Sequence, residues 1–227
     1  LHRQMSNNSI YYKEKPTREQ LHWQLEKMRY SGEPAWVNEI AGVKRRENMN
    51  GVNPCGEILL DDKGMCNLTT VNMMAFVEDG KVDVGNLLLA QQLSARASYR
   101  MSLVDMELED WNEVHHRDRL VGCSLTGWQD MVNATKMDEK TQEVLLHRLK
   151  EYAKLAVTSY SKALKLSEPI LVTTIKPEGT LSQLPTVSSG VHYSHSPYYI
   201  RRIRVNAHDP IVKVCEELGY PIKAEVG

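Results

Sequence analysis

The sequence is poor in cysteine, in long apolar runs and in excess charge of either sign. Its four cysteines are Cys55, Cys66, Cys123 and Cys215, and their spacing contains no C-x-x-C pair of the kind that holds structural zinc. No run approaches the roughly 18 apolar residues of a membrane span. The 28 Lys and Arg residues nearly balance the 29 Asp and Glu residues. This composition argues against a zinc module, a disulfide scaffold, a membrane span and a nucleic-acid-binding surface.

The amino-terminal stretch "LHRQMSNNSI" lacks the apolar core of a secretory signal. We therefore expect a cytoplasmic protein with reduced thiols. Because the first residue is Leu1, we also expect either a piece of a longer protein or a chain whose front has been removed.

Hydrophobic periodicity predicts a chain rich in helices. The first helix has a capping box at Thr17 and Gln20 and stops at Gly32 and Pro34. The last begins at Asp209 with a proline in its first turn and stops at Gly219. Between them we expect helices at residues 35–42, 70–77, 82–106 and 138–166.

Isolated apolar runs between these helices predict strands. "DRLVGCSLTG" (118–127) ends on a glycine turn, "EPILVTTI" (168–175) is suited to an interior strand, and "YYIRRIRVN" (198–206) alternates. Helices alternating with buried strands predict an α/β fold.

The stretch "GVNPCGEILLDDKGMCNLTT" (51–70) carries two of the cysteines on a loop with a brief extended segment at "EILL". If "NPCGE" is extended, Asn53, Cys55 and Glu57 share one face and converge on a ligand. The alternative is that Asn53 caps a turn, Cys55 packs and Glu57 is solvated. Spacing alone leaves both open.

A second loop, "KPEGTLS" (176–182), follows the predicted strand at 168–175. Its glycine turn and hydroxyl side chains can bind an anion, although the pattern matches no standard phosphate-binding motif. An ordinary turn with exposed hydroxyls is the alternative.

Other polar clusters favour no site. We interpret "HHRDR" (115–119) as a solvated loop and "IRRIR" (200–204) as the wet face of a strand. Cys123 and Cys215 are expected to pack as small apolar side chains. The four tryptophans are expected in the core or at its rim, and we assign no metal ligand.

Three motifs together resemble the ribonucleotide reductases. "NPCGEI", with the cysteine of "GMCNLTTVN" eleven positions later, is similar to the family's active-site finger loop. "RLVGCSLTGWQD" and "KPEGTLSQLPTVSSGVH" are similar to its glycine-punctuated strand and substrate-phosphate loop. "RQMSNNSI", "NPCGEI" and "SLTGW" look most like the adenosylcobalamin-dependent ribonucleoside-triphosphate reductases. The resemblance runs through almost the whole chain.

This resemblance implies roles for the finger-loop residues. Cys55 would carry the thiyl radical that removes the 3'-hydrogen of the ribose, and Glu57 would take the 3'-hydroxyl proton. Asn53 would bind the sugar hydroxyls. Cys66 would be one of two thiols that reduce the radical intermediate as the 2'-hydroxyl leaves as water. The loop at about 176–183 would bind the substrate phosphates through Glu178, Gly179, Thr180 and Ser182.

It also implies a fold, a cofactor and partners. Residues 1–227 would be an incomplete segment of a ten-stranded α/β barrel made of two five-stranded halves, with the finger loop (about 51–66) inside. The cofactor would be adenosylcobalamin, and the partners a ribonucleoside triphosphate, a thioredoxin-like reductant, and the rest of the chain or a complementary split subunit. The second active-site cysteine would precede Leu1 and the terminal thiol pair would follow Gly227, so the segment alone would be inactive.

Two other functions remain open. The segment would fit a reductase that receives its radical from a separate metal-containing subunit, a class marked by a pair of tyrosines nearer the carboxyl terminus. It would also fit a non-catalytic nucleotide-binding assembly module. The presence of Asn53, Cys55, Glu57 and Cys66 together argues against a module, because a scaffold needs none of those side chains.

Overall fold

A computed structural model describes residues 6–200 and 202–224, apart from the side chains of residues 30 and 31. The chain divides into two compact units between Tyr193 and Ser194. The first unit is α/β and contains every site residue that the sequence predicts. Residues 3–5 of "RQMSNNSI" and Arg201 of "IRRIR" lie outside the described residues.

The first unit begins with a strand and a helix, β1 (Ser9–Tyr12) and α1 (Arg18–Ser31). The capping box of α1 is present as predicted, since Thr17 and Gln20 exchange hydrogen bonds of 3.2 and 2.8 Å. Gly32 ends the helix in the left-handed region, at φ 75°, where glycine avoids the steric cost of a Cβ atom. Both ends of this helix are therefore encoded locally.

The helix predicted at residues 35–42 is half wrong. Residues Ala35–Asn38 form strand β2, which runs parallel to β1 and alternates between partly buried and exposed side chains. The helix α2 (Glu39–Arg45) begins only after Asn38, whose side chain accepts a hydrogen bond from the Ala41 N–H at 3.0 Å. The pairing partner lies more than twenty residues earlier, so local periodicity does not reveal it.

A short antiparallel hairpin follows, formed by β3 (Gly51–Val52) and β4 (Leu59–Leu60). The brief extended segment predicted at "EILL" is confirmed as β4. The hairpin tip, residues 53–58, contains the first candidate site.

The remaining elements of the first unit build a β-α-β core. They are β5 (Asn67–Asn72), a 3-10 turn (Met73–Phe76), β6 (Val77–Glu78), β7 (Lys81–Val82), α3 (Val84–Met101), α4 (Glu109–Asp118), β8 (Val121–Thr126), α5 (Trp128–Thr135), α6 (Glu139–Leu164) and a 3-10 turn (Leu181–Gln183). The predicted helices at 82–106 and 138–166 are confirmed as α3 and α6, and the strand at 118–127 as β8.

Strands β5 and β8 are parallel and in register, with Thr69 opposite Cys123 and Thr70 opposite Ser124. Alternate residues face opposite sides of a strand. One side packs on α3 and α6, where the buried core contains Val71, Leu87, Ala95, Val121, Cys123, Leu125, Leu149 and Val157. Cys123 thus packs as a small apolar residue, as predicted. The other side carries Leu68, Thr70, Gly122, Ser124 and Thr126.

Two predictions around this core are wrong. Residues 70–77 are no α-helix, because the β-branched run Thr69–Val71 belongs to β5 and only Met73–Phe76 coil, as a 3-10 turn. Residues 168–175 form no strand and make a single bridge, between Cys123 and Thr173. Val121 and Cys123, two residues apart, donate to the adjacent carbonyls of Leu171 and Val172, and this irregularity interrupts the ladder.

The stretch "HHRDR", predicted as a solvated loop, is instead the buried end of α4. His115, Asp118 and Arg119 are all buried. Burial lowers the pKa of His115 below its usual value, with the neighbouring His116 adding to the effect. The polar residues of this stretch predicted solvent exposure, because nothing in the local sequence shows what the helix packs against.

The second unit contains α7 (Pro210–Glu217). Asp209 caps it and Pro210 occupies its first turn, as predicted. Residues 198–200 and 202–206, predicted as part of a strand, contain none. Within the described part of the chain, no helix is both long and apolar enough to cross a membrane.

Candidate active site

The tip of the hairpin is a tight turn rather than an extended segment. The Gly56 N–H donates to the Asn53 carbonyl at 2.9 Å, and the Ile58 N–H donates to Asn53 Oδ1 at 2.9 Å. Asn, Pro and Gly at these positions follow the preferences of a β-turn, and Gly56 has φ 78°. The premise that Asn53, Cys55 and Glu57 share the face of a strand is therefore wrong.

Cys55 lies at the third position of this turn, and it is exposed. Contacts from the β1 region hold the hairpin from one side. Asn7 Nδ2 donates to the Pro54 carbonyl at 2.6 Å, and the Val52 N–H donates to the Tyr11 hydroxyl at 3.1 Å. Cys55 is accordingly presented by an anchored turn and is not packed, contrary to the alternative prediction.

Glu57 is not solvated either. Both of its carboxylate oxygens are buried and have no hydrogen-bond partner among the described residues. Its backbone carbonyl accepts a hydrogen bond from Thr174 Oγ1 at 2.8 Å, which ties this side of the tip to the segment beside β8. A buried carboxylate without a partner costs several kcal/mol or more, so Glu57 is poised to receive a donor.

Cys66 immediately precedes β5 on the side of the sheet away from α3. Burial raises its pKa to about 12, and the nearby Cys123 and Glu57 act in the same direction. A Cβ atom at Gly122 would lie 2.9 Å from Cys66 Sγ, so only glycine leaves room for this thiol. Cys66 and Cys123 are both free thiols.

A cleft of about 630 Å³ brings part of this set together. Its walls include Gly56, Glu57, Cys66, Cys123 and Thr173. The structure thus joins Glu57 with Cys66, whereas the side chains of Asn53 and Cys55 do not line the cleft.

A partly buried charge network at the foot of the hairpin was missed by sequence reasoning. Arg46, the residue directly after α2, forms a buried ion pair with Asp118 of α4 and donates from Nη1 to the Leu59 carbonyl at 2.7 Å. Arg117 Nη2 contacts Asp61 Oδ2 at 2.5 Å. The partners are 56 to 72 residues apart in sequence, so no local pattern could have found them.

Asp61 is a second carboxylate of this network and accepts several hydrogen bonds. Asn48 and Asn50 donate to its two carboxylate oxygens at 2.8 and 2.7 Å. Burial opposes ionisation of Asp61, but the hydrogen bonds from Asn50 and Arg117 outweigh it and lower the pKa to about 2. The base of the hairpin is therefore held by the carboxylate of Asp61, which is ionised at neutral pH.

The predicted phosphate loop lies beyond the carboxyl ends of β5 and β8, the edge of a parallel sheet where ligands commonly bind. Glu178 is buried at φ 53°, and its Oε1 accepts a hydrogen bond from Thr70 Oγ1 at 2.5 Å. Ser182 is buried, and its hydroxyl lies 2.9 Å from the Ser189 hydroxyl. Thr180 is exposed, and no atom lies within 4 Å of a Cβ placed at Gly179. The open side of this loop is thus at Gly179 and Thr180.

The segment that follows the loop is fastened to the end of β8. The Ser188 carbonyl accepts from the Gly127 N–H at 2.8 Å and from Thr126 Oγ1 at 3.1 Å. A Cβ atom at Gly190 would lie 2.6 Å from the Lys176 carbonyl, so glycine allows the following segment to approach the start of the loop.

The thiol and the phosphate loop lie along one face of the same strand. Cys66 and Thr70 are four residues apart with equal parity, which separates them by about 13 Å at 3.3 Å per residue. Thr70 contacts Glu178 directly. Fold and site together define an α/β protein with a thiol and a buried carboxylate at one end of a sheet face and the loop at residues 176–183 at the other.

The sequence matches the family described as "Ribonucleotide reductase, barrel domain" over residues 25–169. This match covers more than half of the chain. The chain therefore belongs to the ribonucleotide reductase family, as its motifs predicted.

Named relatives agree with this assignment. The chain is 31% identical over 187 residues to a putative adenosylcobalamin-dependent ribonucleoside-triphosphate reductase of Mycobacterium phage D29. It is 30% identical over 204 residues to the adenosylcobalamin-dependent ribonucleoside-triphosphate reductase of Lactobacillus leichmannii. In both comparisons 79% of this chain aligns with 27% of the relative, so the chain spans about a quarter of their length.

Solved structures are similar as well. A crystal structure of a B-12-dependent (class II) ribonucleotide reductase superposes with a TM-score of 0.75 and 26% identity, over 97% of this chain and 35% of that one. The class Id ribonucleotide reductase alpha subunit of Actinobacillus ureae superposes with a TM-score of 0.59 and 19% identity, over 89% and 43% of the two chains, a likeness of fold alone.

Proposed function

We propose that this chain is a catalytic segment of an adenosylcobalamin-dependent ribonucleoside-triphosphate reductase, which makes 2'-deoxyribonucleotides by thiyl-radical chemistry. Family membership supports the reaction class, and the names of the relatives support the cofactor and substrate. The observation that carries the proposal is Glu57, whose two buried carboxylate oxygens have no partner in a cleft shared with Cys66. A bound ribose would supply the missing hydroxyl donor.

In this proposal Cys55 removes the 3'-hydrogen of the ribose and Glu57 takes the 3'-hydroxyl proton. Deprotonation of that hydroxyl makes loss of the neighbouring 2'-hydroxyl as water easier. Asn53 uses its amide oxygen in the turn, which leaves its Nδ2 group as the donor to the sugar hydroxyls. The exposed Cys55 reaches the ribose once substrate and the rest of the barrel enclose the tip, because a radical must be kept from bulk solvent.

Cys66 serves as a reducing thiol. Its raised pKa keeps it protonated at neutral pH, so it can deliver a hydrogen atom to the substrate radical. A second thiol outside this segment completes the pair, and a thioredoxin-like reductant restores it after each turnover.

The loop at 176–183 binds the triphosphate, with Gly179 and Thr180 at its open side and Glu178 and Ser182 shaping it from within. Its distance of about 13 Å from Cys66 along β5 suits a nucleoside triphosphate that extends from ribose to phosphates along the sheet.

Residues 1–227 contribute part of a ten-stranded α/β barrel, completed by the rest of the reductase chain or by a complementary subunit. The protein acts in the cytoplasm, without a membrane or nucleic acid as partner. By itself the segment is expected to be inactive.

Adenosylcobalamin, when bound, would supply the radical that oxidises Cys55. The exposed thiol at the hairpin tip fits a residue oxidised from outside the segment. Among the described residues, no group of three or more His, Cys, Asp or Glu side chains is arranged to hold a metal ion. We therefore assign no residue of this segment as a ligand of the cobalt in adenosylcobalamin.

The test uses a complete enzyme that contains this segment. Cys55→Ser is expected to abolish 3'-hydrogen exchange and deoxyribonucleotide formation while nucleotide binding stays nearly unchanged. Cys66→Ser is expected to permit hydrogen abstraction but lose thiol-driven turnover. Cys215→Ser, in the second unit, is the matched control and should turn over normally. Residual product formation by Cys55→Ser would sink the radical assignment.

A further inference from the structure

Glu178 is unsuited to contact phosphate directly, although it lies in the proposed phosphate loop. Its side chain is fully buried, and an ionised carboxylate only accepts hydrogen bonds. Phosphate oxygens at neutral pH are also mainly acceptors. Two groups of like charge and like hydrogen-bonding character repel each other, so Glu178 needs another role.

The contacts of Glu178 point to Lys176. Glu178 Oε1 lies 3.5 Å from Lys176 Nζ and accepts from Thr70 Oγ1, while Oε2 is buried without a partner among the described residues. A separation of 3.5 Å is longer than the usual 2.7–3.2 Å hydrogen bond. The Lys176 ammonium group is therefore attracted by Glu178 without being tightly bound, and it retains further N–H donors.

Lys176 is also placed to reach a ligand. Its backbone N–H donates to Ser124 Oγ at 2.9 Å, which fixes the start of the loop on the polar face of β8. Its side chain is 22% exposed, in contrast to the fully buried carboxylate beside it. The ammonium group thus has a buried anion beside it and is itself partly open to solvent.

We propose that Lys176 contacts the triphosphate of the substrate and that Glu178 is the positioning residue that holds the ammonium group ready. On binding, the ammonium group turns its free donors to the phosphate oxygens and remains attracted to Glu178. This inference rests on the proposed function and names a specificity residue within it. The positively charged Lys176 binds the phosphates through charge-assisted hydrogen bonds, which are stronger than those from the backbone N–H groups of the loop.

The test measures equilibrium binding and turnover in the complete enzyme. Lys176→Gln is expected to weaken binding of a ribonucleoside triphosphate about 10- to 100-fold, the range of one lost charge-assisted hydrogen bond. Affinity for the corresponding nucleoside, which lacks phosphates, should stay within about two-fold. Lys176→Arg should restore most of the affinity. Lys140→Gln, on the exposed first turn of α6, is the matched control.

Glu178→Gln separates positioning from a purely structural role. It keeps the acceptor for Thr70 and removes the charge that attracts Lys176. We expect it to weaken triphosphate binding in the wild-type background but to have little further effect in the Lys176→Gln background, since Glu178 acts through Lys176. Additive losses would overturn the positioning role.

Two results would overturn the role of Lys176: unchanged triphosphate affinity in Lys176→Gln, or an equal loss for the nucleoside. Failure of the proposed function itself looks different. In that case the unsubstituted enzyme yields no deoxyribonucleotide, whatever the binding measurements on Lys176 variants show.

Discussion

Arg46 and Asp118 form a buried ion pair that joins the foot of the hairpin to the last turn of α4. Their side chains are 1% and 2% exposed. Arg46 also binds the carbonyl of Leu59, two residues after Glu57. The position of the candidate base and of the turn that carries Cys55 therefore depends on a contact between residues far apart in sequence.

Replacing Asp118 by Asn should destabilise this chain by about 3–5 kcal/mol, because Arg46 would keep a buried charge without its partner. Urea unfolding followed by circular dichroism would measure the loss. Asp105→Asn is the matched control: Asp105 is 86% exposed and pairs only at the surface with His116, so its loss should stay within about 0.5 kcal/mol. Equal losses for the two variants would contradict the burial of the pair.

Replacing Gly122 by Ala should disturb the Cys66 thiol. The new Cβ atom would lie 2.5 Å from Leu68 Cδ2 and 2.9 Å from Cys66 Sγ, and overpacking of this kind costs about 1–3 kcal/mol. Gly179→Ala, where no atom lies within 4 Å of the added Cβ, should leave the free energy of unfolding almost unchanged. Thermal unfolding of both variants tests this, and a stable Gly122→Ala would mean that the strands are less closely packed.

The thiols should differ in alkylation by iodoacetamide at pH 8. Cys55 is exposed, whereas Cys123 is buried and Cys66 is half-buried. Burial raises the pKa of Cys66 to about 12 and that of Cys123 to about 11. Mass spectrometry of peptides should show label on Cys55 within minutes and on Cys66 and Cys123 only after unfolding. Early label on Cys66 would refute its burial.

The same thiol predicts a loss of stability in alkali. The unfolded Cys66 releases its proton near pH 9, whereas the folded thiol keeps it to about pH 12. A raised folded-state pKa contributes stability below pH 9 that is lost as the pH rises toward 12. Cys66→Ser should flatten this decline, and an unaltered decline in that variant would assign the effect to other groups.

Asp61 predicts the opposite behaviour in acid. Its pKa is lowered from 3.8 to about 2, so its contribution to stability is present above pH 4 and disappears as the pH falls toward 2. Asp61→Asn should remove that part of the pH dependence of unfolding. Asp105→Asn serves as the control. If Asp61→Asn lost as much stability between pH 4 and pH 2 as the unsubstituted chain, Asp61 would have no special role in the acid dependence.

Sequence reasoning succeeded where the determinants are local. The predicted caps at Thr17 and Asp209 fix helix starts through side chains that reach only two or three residues. Apolar residues that recur with helical periodicity over several turns correctly predicted α3 and α6. The cysteine, carboxylate and amide around residue 55 are also local, and their motif led to the family.

It failed where the determinants are distant. Strands β1 and β2 pair across more than twenty residues, and the buried end of α4 takes its environment from the hairpin. At the tip of the hairpin, the alternative prediction that Asn53 caps a turn is confirmed. Asn53 uses its amide oxygen to close the turn, so a residue assigned to the ligand is also a structural cap, and its letter alone cannot tell the two uses apart.

Because side chains alternate between the two faces of β5, a shift of this strand by one residue would move every side chain to the opposite face. Thr69 and Val71 point to the helices, while Leu68 and Thr70 share the opposite face with the position of Cys66. Inserting one residue after Cys66 would leave residues 67–72 unchanged in composition and order, yet it would put the thiol and the Thr70 hydroxyl on opposite sides of the sheet. Insertions and deletions that natural relatives tolerate should therefore fall outside residues 66–72, and those within should occur in pairs.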